Sequence, residues 1–479
     1  NADSLIQATG ACTIANNLTF SADSNASKGL DFNAAVTVSG DISMSASPII
    51  DFAATTLTYS GAAVNLGAKT LTLTGTGSFT NTNNLVLDNA DSLLKLAGCT
   101  VAKVSQTATA NANKGIDVAT TDSTVTTFTS SGSSRIALGA DFTITNAFNV
   151  GANTIILSGT SELNGGAITL NDVASLIQAT GACTIANDLA FSADSNANKG
   201  LDFNANVTLS GDITMTADPI IDFAATTITY TGADIDLGAK TLTLTGTGNF
   251  TNTNNIVLDN ADSLLKLAGC TVAKVSQTAV ANTNKGIDVA TTASTITTFN
   301  SGSSSRIDLG ANLTITDAFS LGAFTMILSG TSQLGGGAIT LNNGDSLIQV
   351  TGACTIANAL TFSADSNASK GLDFNANVTV SGTITMTASP IIDFGTNTLT
   401  YSGAAVNLGA KTLTLTGTGS FTNTNNINLD NVDSLIKLAG CTVAKVSQSA
   451  IANASKGIDV ATTASTITAF NSGSSSRIA

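Results

Sequence analysis

The chain has 479 residues, a formal net charge of −14 and charged side chains at only 10% of its positions. The acidic residues are scattered and Lys and Arg form no clusters, which argues against nucleic acid as a partner. Hydrophobic residues make up 43% of the chain, enough to build a core, so intrinsic disorder is disfavoured. No run of 18 or more apolar residues occurs, and the sequence therefore predicts no membrane insertion.

Short runs in which apolar and polar residues alternate recur along the chain. Among the first are residues 30–32 (Leu-Asp-Phe), 36–38 (Val-Thr-Val), 50–52 (Ile-Asp-Phe), 57–59 (Leu-Thr-Tyr) and 70–74 (Thr-Leu-Thr-Leu-Thr). Alternation with a period of two is typical of a strand that buries one face. Gly, Asn, Asp and Ser clusters separate the runs, and helical spacing of apolar residues is missing, so we predict an all-β fold.

The sequence also repeats over a long period. The segment that begins at Ser4 returns almost unchanged at Ser175 and again at Ser346, with no insertion or deletion between the copies. Each repeat can be divided into coils that hold two or three short strands, and such coils stack so that each strand pairs in parallel with its counterpart in the next coil. The sequence therefore predicts a parallel β-solenoid. Eight coils of about 21 residues each fill one repeat. They start near Leu5, Leu30, Ile50, Leu71, Leu93, Ile116, Ile136 and Ile155.

No linker or change of composition interrupts the repeats, and we therefore expect one continuous solenoid. Its parts are repeat 1 over residues 1–171, repeat 2 over residues 172–342 and an incomplete repeat 3 over residues 343–479. The chain opens on Asn1 without a signal-peptide pattern, and neither end differs from the internal copies. We expect a processed window on a longer polypeptide or, alternatively, a protomer whose open ends are capped by the next one.

The coil length, the composition and alternating strands such as residues 70–74 resemble those of secreted parallel β-solenoid repeat proteins. This class includes filamentous-haemagglutinin-type adhesins, autotransporter passengers and very large bacterial surface repeat proteins. The resemblance covers the whole chain and implies a location outside the cell or on the cell surface. It implies no catalytic residue, because the class shares no catalytic motif.

The spacing of the cysteines bears on disulfide formation. Neighbouring cysteines always lie four coils apart in the sequence. Four coils separate two residues by roughly 19 Å along a stack, whereas a disulfide needs Cα atoms within about 7 Å. We therefore expect small buried apolar residues, with bridges between chains as the alternative. The residues concerned are Cys12, Cys99, Cys183, Cys270, Cys354 and Cys441.

A Lys-Gly-x-Asp motif recurs six times along the chain. The Gly allows a positive φ at a corner, and the Lys and Asp can pair with each other or bind the turn. Calcium is the alternative, but one carboxylate per four coils falls short of the about six to eight oxygens that Ca²⁺ requires. We therefore predict a structural corner and no metal or cofactor site. The motifs begin at Lys28, Lys114, Lys199, Lys285, Lys370 and Lys456.

The residue inventory disfavours catalysis. A glycosidase or lyase site needs convergent carboxylates beside Arg, Lys or His. The chain has no His, and Arg135, Arg306 and Arg477 are each a full repeat apart. We expect no enzyme activity and assign no catalytic residue.

Outward Thr pairs suggest ice binding as a minor possibility, since flat Thr arrays on solenoids form the ice-binding faces of some proteins. The pairs lie in residues 70–74, 241–245 and 412–416, so the full motif appears once in eight coils. Thr is also simply a good exposed strand residue. An ice face requires the same motif in successive coils, and this count therefore disfavours it.

Taken together, these observations predict a non-catalytic structural protein, secreted or on the cell surface. We expect its partner to be itself, through stacking and lateral association into a fibre, filament or sheath. The alternative is the stalk of an adhesin that binds glycans or host surfaces. The lack of a distinct terminal head in this sequence favours assembly.

Overall fold

A computed structural model describes residues 2–25, 29–197, 199–460 and 463–479 of the chain. They divide into two compact units, residues 1–235 with 245–254 and residues 236–244 with 255–479. All regular secondary structure in the described residues is β-strand. Within each unit the strands of one turn pair in parallel with those of the next, so each unit is a parallel β-solenoid.

Face A receives one strand from each turn and presents one row of side chains to the core. In the first unit its strands are Leu5–Ala8, Gly29–Phe32, Ile49–Asp51, Thr70–Thr74, Leu93–Ala97, Gly115–Val118, Ser134–Leu138, Thr154–Gly159, Leu176–Ala179, Gly200–Phe203 and Ile220–Asp222. In the second unit they are Thr241–Thr245, Leu264–Ala268, Gly286–Val289, Ser305–Leu309, Thr325–Gly330, Leu347–Val350, Gly371–Phe374, Ile391–Asp393, Thr412–Thr416, Leu435–Ala439 and Gly457–Val460.

Face B follows face A in every turn, after a corner rich in Gly, Asn and Ser. In the first unit its strands are Cys12–Ile14, Val36–Val38, Thr56–Tyr59, Ser78–Asn81, Thr100–Gln106, Ser123–Ser130, Phe142–Ile144, Glu162–Gly165, Thr184–Ile185, Val207–Leu209, Thr227–Tyr230 and Asn249–Asn252. In the second unit they are Thr271–Gln277, Ser294–Ser301, Leu313–Ile315, Gln333–Gly336, Thr355–Ile356, Val378–Val380, Thr398–Tyr401, Ser420–Asn423, Thr442–Gln448 and Thr466–Ser472.

Face C closes each turn with short strands. The long strand Thr100–Gln106 pairs with both Ser78–Asn81 and Leu85–Leu87, so it covers faces B and C together. In the first unit the separate face C strands are Leu18–Phe20, Ile42–Met44, Val64–Asn65, Leu85–Leu87, Phe148–Asn149, Ile168–Leu170, Leu189–Phe191, Ile213–Met215 and Ile235–Asp236. In the second unit they are Ile256–Leu258, Phe319–Ser320, Ile339–Leu341, Leu360–Phe362, Ile384–Met386, Val406–Asn407 and Ile427–Leu429.

The core is a set of columns in which each inward side chain lies on its counterpart in the next turn. One column on face A is Leu73, Leu96, Val118 and Leu138, all fully buried. Each such side chain stabilises the folded state by about 1.5–3 kcal/mol when it leaves water. Because the inward residues of a single turn would remain exposed, stacking of turns is what makes the alternating pattern fold.

Where the chain passes from face B to face C, the hydroxyl groups of buried tyrosines form the hydrogen bonds between turns that paired strands would otherwise make. The hydroxyl of Tyr59 donates to the Ala62 carbonyl at 2.7 Å and accepts from the Ile42 backbone N–H at 3.1 Å. Tyr401 makes the same two bonds in its turn, at 2.6 and 3.2 Å. The phenol therefore joins two successive turns at a corner that strand pairing leaves open.

The predicted fold class is confirmed. Leu94, Ile116 and Ile136 are register partners in three successive turns of face A. Their positions in the chain agree with the predicted turn length of about 21 residues. The division into repeats over residues 1–171, 172–342 and 343–479 stays a prediction from the sequence.

Candidate functional site

Face B presents threonine to solvent in turn after turn, and we call this surface the threonine face. Thr13 pairs with Thr37, Thr37 with Thr58, and Thr58 with Thr80, so four successive turns place threonine in one column. These side chains are exposed or half-buried, whereas their strand neighbours Val38 and Tyr59 are fully buried. The alternation of the strand thus aims each hydroxyl away from the core.

The same column occurs at each repeat of the sequence. Its second copy lies in the first unit and its third copy in the second unit, each with four threonines in register. The copies are Thr184, Thr208, Thr229 and Thr251, then Thr355, Thr379, Thr400 and Thr422.

A second column continues the threonine face in the turns that follow. Thr100 pairs with Thr124, and Thr124 pairs with Thr143. In the second unit the equivalent residues Thr271, Thr295 and Thr314 pair in the same way. The threonine face therefore extends over most turns and is not limited to one strand per repeat.

The threonine pairs singled out in the sequence lie elsewhere. Thr70, Thr72 and Thr74 point outward from face A, where their column neighbours are Leu93, Lys95 and Ala97. That motif does occur once in eight turns, as expected, but it is not part of the threonine face. The sequence alone did not reveal the threonine column, because the strands that supply it differ in sequence: Cys-Thr-Ile, Val-Thr-Val, Leu-Thr-Tyr and Phe-Thr-Asn.

Charged side chains are sparse on the threonine face. In the face B strands of the first unit, Lys103 and Glu162 are the charged residues among those described. The Nζ atom of Lys103 donates to the Thr82 carbonyl at 2.8 Å. The scattered aspartates lie instead at corners, where Asp41 for example accepts the Ala62 N–H of the next turn at 2.8 Å.

The Lys-Gly-x-Asp motif forms a corner at the start of a face A strand. All six motif glycines have φ between 92° and 99°, which confirms the predicted positive φ; they are Gly29, Gly115, Gly200, Gly286, Gly371 and Gly457. Lys28 of the first motif lies outside the described residues. A Cβ on Gly115 would lie 2.4 Å from the Arg135 carbonyl oxygen, so the next turn also requires glycine here.

The motif aspartates bind neighbouring turns. Asp31 accepts a hydrogen bond from Gln7 at 2.6 Å, and Asp202 and Asp373 accept from Gln178 and Gln349. Asp117 instead forms an ion pair with Lys95, with 3.9 Å between Nζ and Oδ2. Of the two roles left open for the motif, pairing of its Lys with its own Asp does not occur in the described residues, where these aspartates bind side chains of the preceding turn.

The cysteines follow the predicted burial with one exception. Cys99, Cys183, Cys270, Cys354 and Cys441 are buried free thiols, and burial raises the pKa of Cys99 to about 11. The prediction that Cys12 is buried is wrong: Cys12 is exposed. It lies in the first turn of the described residues, where Ile6 is 46% exposed while its copy Ile177 is 1% exposed.

Several grooves lie on face A beside motif corners; one beside Lys370 has a volume of about 510 Å³ and is lined by Asp373 and Asp393 among others, and two more are equivalent to each other. The groove in the first unit has a volume of about 290 Å³ and is lined by residues that include Lys114, Asp117, Arg135 and Ser158. Its counterpart in the second unit has a volume of about 250 Å³ and is lined by Lys285, Asp288, Arg306, Asp308 and Ser329 among others.

No protein-family model, curated protein or solved structure matches this chain. The described residues hold no group of three or more His, Cys, Asp or Glu side chains placed to bind a metal ion. They also contain no helix that is long and apolar enough to cross a membrane. The parallel strand register is therefore what defines the class, a parallel β-solenoid.

Proposed function

We propose that this chain is a non-catalytic structural protein that associates laterally with other copies through the threonine face and so builds an extracellular fibre, filament or sheath. The observation that carries the proposal is the four-threonine column, present in three copies at the period of the sequence repeat. A periodic flat surface can be matched by the same surface of another copy, whereas an irregular one cannot.

Threonine suits contact between identical surfaces. Its hydroxyl both donates and accepts hydrogen bonds, so two threonine faces complement each other without any second residue type. Its methyl group adds apolar area, and β-branched side chains are stiff, so little conformational entropy is lost on contact. Each contact is weak, but repetition along one chain multiplies the contacts through effective concentration.

Charge favours this face over face A. A chain of net charge −14 repels its own copies, and the repulsion is weakest where the approaching surfaces carry no charge. The threonine columns are uncharged over four successive turns, for example Thr13, Thr37, Thr58 and Thr80. Face A carries aspartates, lysines and arginines instead.

The test is a triple substitution, Thr58→Lys, Thr229→Lys and Thr400→Lys, which places a charge in each column. We expect the unmodified chain to form bundles by electron microscopy and to scatter light strongly as its concentration rises, and the variant to remain dispersed. The control is Thr72→Lys, Thr243→Lys and Thr414→Lys on face A, which should still assemble. Equal assembly of variant and control, or no assembly of the unmodified chain, contradicts the proposal.

Ice binding is a second candidate, favoured by the threonine face. Its hydroxyls recur about 4.8 Å apart between turns and about 6.6 Å apart along a strand, and such a regular grid of hydroxyls is what ice binding requires. Thr56 with Thr58 and Ser78 with Thr80 form such a grid over two turns. Ice-crystal growth inhibition by the unmodified chain but not by the triple Thr58, Thr229 and Thr400 variant would support it; unhindered growth with the unmodified chain excludes it.

A further inference from the structure

The groove on face A in the first unit concentrates positive charge in an acidic chain. Column pairing places Lys95, Asp117, Ala137 and Ser158 in one row, and the last three line the groove. Lys114 stands at the corner beside it, and Arg135 lies in the adjacent row. Two cations, Lys114 and Arg135, therefore line the groove with a single carboxylate, Asp117, and that carboxylate is already paired with Lys95 outside the lining.

The arginine of this groove is held in place by the fold. Its Nε atom donates to the Ala110 carbonyl at 3.2 Å, and this is the one hydrogen bond of its side chain within the described part of the chain. Arg306 and Arg477 make the same bond to Ala281 and Ala452, both at 3.1 Å. The two terminal amino groups of Arg135 thus stay available, and a guanidinium fixed in this way loses little entropy when it binds a carboxylate.

The rest of the groove offers hydroxyl and aliphatic groups. Ser158 and Thr180 line one part of it, and Leu93 and Ile156 line another. Gly115, which follows Lys114 in the motif, has no side chain to fill the space between Leu93 and Arg135. The groove is open to solvent and runs across several turns, each about 4.8 Å from the next.

We propose that this groove binds a short segment of a carboxylated polysaccharide. The Arg135 guanidinium and the Lys114 ammonium would receive carboxylates, Ser158 and Thr180 would bind sugar hydroxyls, and Leu93 and Ile156 would contact the aliphatic face of a sugar ring. An open channel that joins these three chemistries fits a polymer segment better than a small free anion. The site lies on face A, so it does not depend on association through the threonine face.

The second unit holds a natural comparison. Its groove keeps Lys285, Arg306 and Ser329, but Asp308 replaces the residue equivalent to Ala137. Asp308 pairs directly with Asp288 of the preceding turn. Burial and then the charge of Asp308 raise the pKa of Asp288, and the nearby Lys266 opposes this. The extra carboxylate weakens attraction for an anion, so the first groove should bind more tightly.

The experiment is isothermal titration of the full chain with oligogalacturonate, a carboxylated oligosaccharide, and with a neutral oligosaccharide of the same length. Arg135→Gln should weaken binding at the tighter class of sites about tenfold, the value of one charge-assisted hydrogen bond. Ala137→Asp should weaken binding in the same groove, and Asp308→Ala should tighten binding in the other. The control Lys103→Gln, on the threonine face, should leave affinity unchanged.

Titration with monomeric galacturonate tests whether the groove binds a polymer segment or a small anion. Binding of the monomer as tight as that of the oligomer overturns the polysaccharide assignment, as does equal affinity for the neutral oligosaccharide. If Ala137→Asp leaves the affinity for the oligosaccharide unchanged, the binding site does not lie in this groove. This result is decisive even if Arg135→Gln disturbs the fold. Assembly of these variants, followed by light scattering, should equal that of the unmodified chain, so failure here and failure of the threonine-face proposal are distinguishable.

Discussion

At the scale of single residues, hydrogen-bonding side chains inside the turns set the local geometry. The hydroxyl of Tyr59 is fully engaged by Ala62 and by Ile42, and the ring packs on Phe79 with centroids 6.0 Å apart. Burial raises the pKa of Tyr59, opposed by the backbone hydrogen bond from Ile42. This phenol is therefore a structural connector between turns.

Tyr59→Phe should lower the stability of the first unit. The change leaves the Ala62 carbonyl and the Ile42 N–H without a partner in a buried corner, which costs about 1–3 kcal/mol. A lower urea midpoint, followed by circular dichroism, would show it. Thr58→Val, which alters the exposed neighbour on the same strand, should shift the midpoint little, and an equal shift in both would rule out this account.

Thiol reactivity separates Cys12 from the other cysteines. Desolvation by burial raises the pKa of Cys99, Cys183, Cys270 and Cys354 to about 11, so these thiols are protonated at neutral pH. We expect iodoacetamide at pH 8 to alkylate Cys12 in the folded chain and the others only after unfolding. Peptide mapping by mass spectrometry measures this, and rapid labelling of Cys99 in the folded chain would contradict the buried register.

At the scale of strands and corners, the approach of successive turns decides which residues a corner accepts. A Cβ on Gly77 would lie 1.9 Å from the Thr55 carbonyl oxygen of the preceding turn, a contact that backbone cannot avoid without moving. Gly248 and Gly419, its copies one and two repeats on, are as tightly placed. These glycines are therefore required by stacking rather than by their own backbone angles.

Gly77→Ala should destabilise the fold because the two turns must separate. We expect a loss of about 1–3 kcal/mol, typical of overpacking, and a lower melting temperature by circular dichroism. Gly10→Ala is the matched control, since a Cβ there meets nothing within 4 Å. Equal melting temperatures for the two variants would show that the turns are less closely stacked than described.

The strands and their stacking could be predicted from the sequence, but the threonine face could not. Period-two alternation and the long sequence repeat define inward residues and turn length without reference to any neighbour. The face assignment of Thr37 or Thr58 depends on corner lengths, which vary between turns. The step from Leu94 to Ile116, for example, is longer than the step from Ile116 to Ile136. The strand pairing in the structure was therefore needed to show that these threonines lie in one column.

At the scale of the whole molecule, charge controls how closely copies approach. The net charge of −14 and a pI near 4.2 mean strong mutual repulsion at neutral pH. The aspartates that carry this charge mostly serve as acceptors at corners, as Asp41 does for Ala62. The same aspartate side chains therefore stabilise the corners and cause the repulsion between copies.

Assembly should consequently depend on salt and pH. Screening by 0.5 M NaCl, or acidification from pH 7 to the pI near 4.2, where aspartates become protonated, lowers the repulsion between copies and should lower the concentration at which light scattering rises. A variant with lysines at Thr58, Thr229 and Thr400 should not respond in this way. Assembly that weakens with added salt would instead indicate that attraction between opposite charges holds the copies together.

In the first unit the threonine columns recur in register with the sequence repeat, as the equivalent residues Thr58 and Thr229 show, and this has a consequence for alignment between neighbours. A copy displaced by one whole period meets the same side chains over the length that still overlaps, so each staggered overlap keeps the same energy per contact. Such degenerate alignments let chains join with offset ends, and a material built from them would have a fixed internal period but no fixed length.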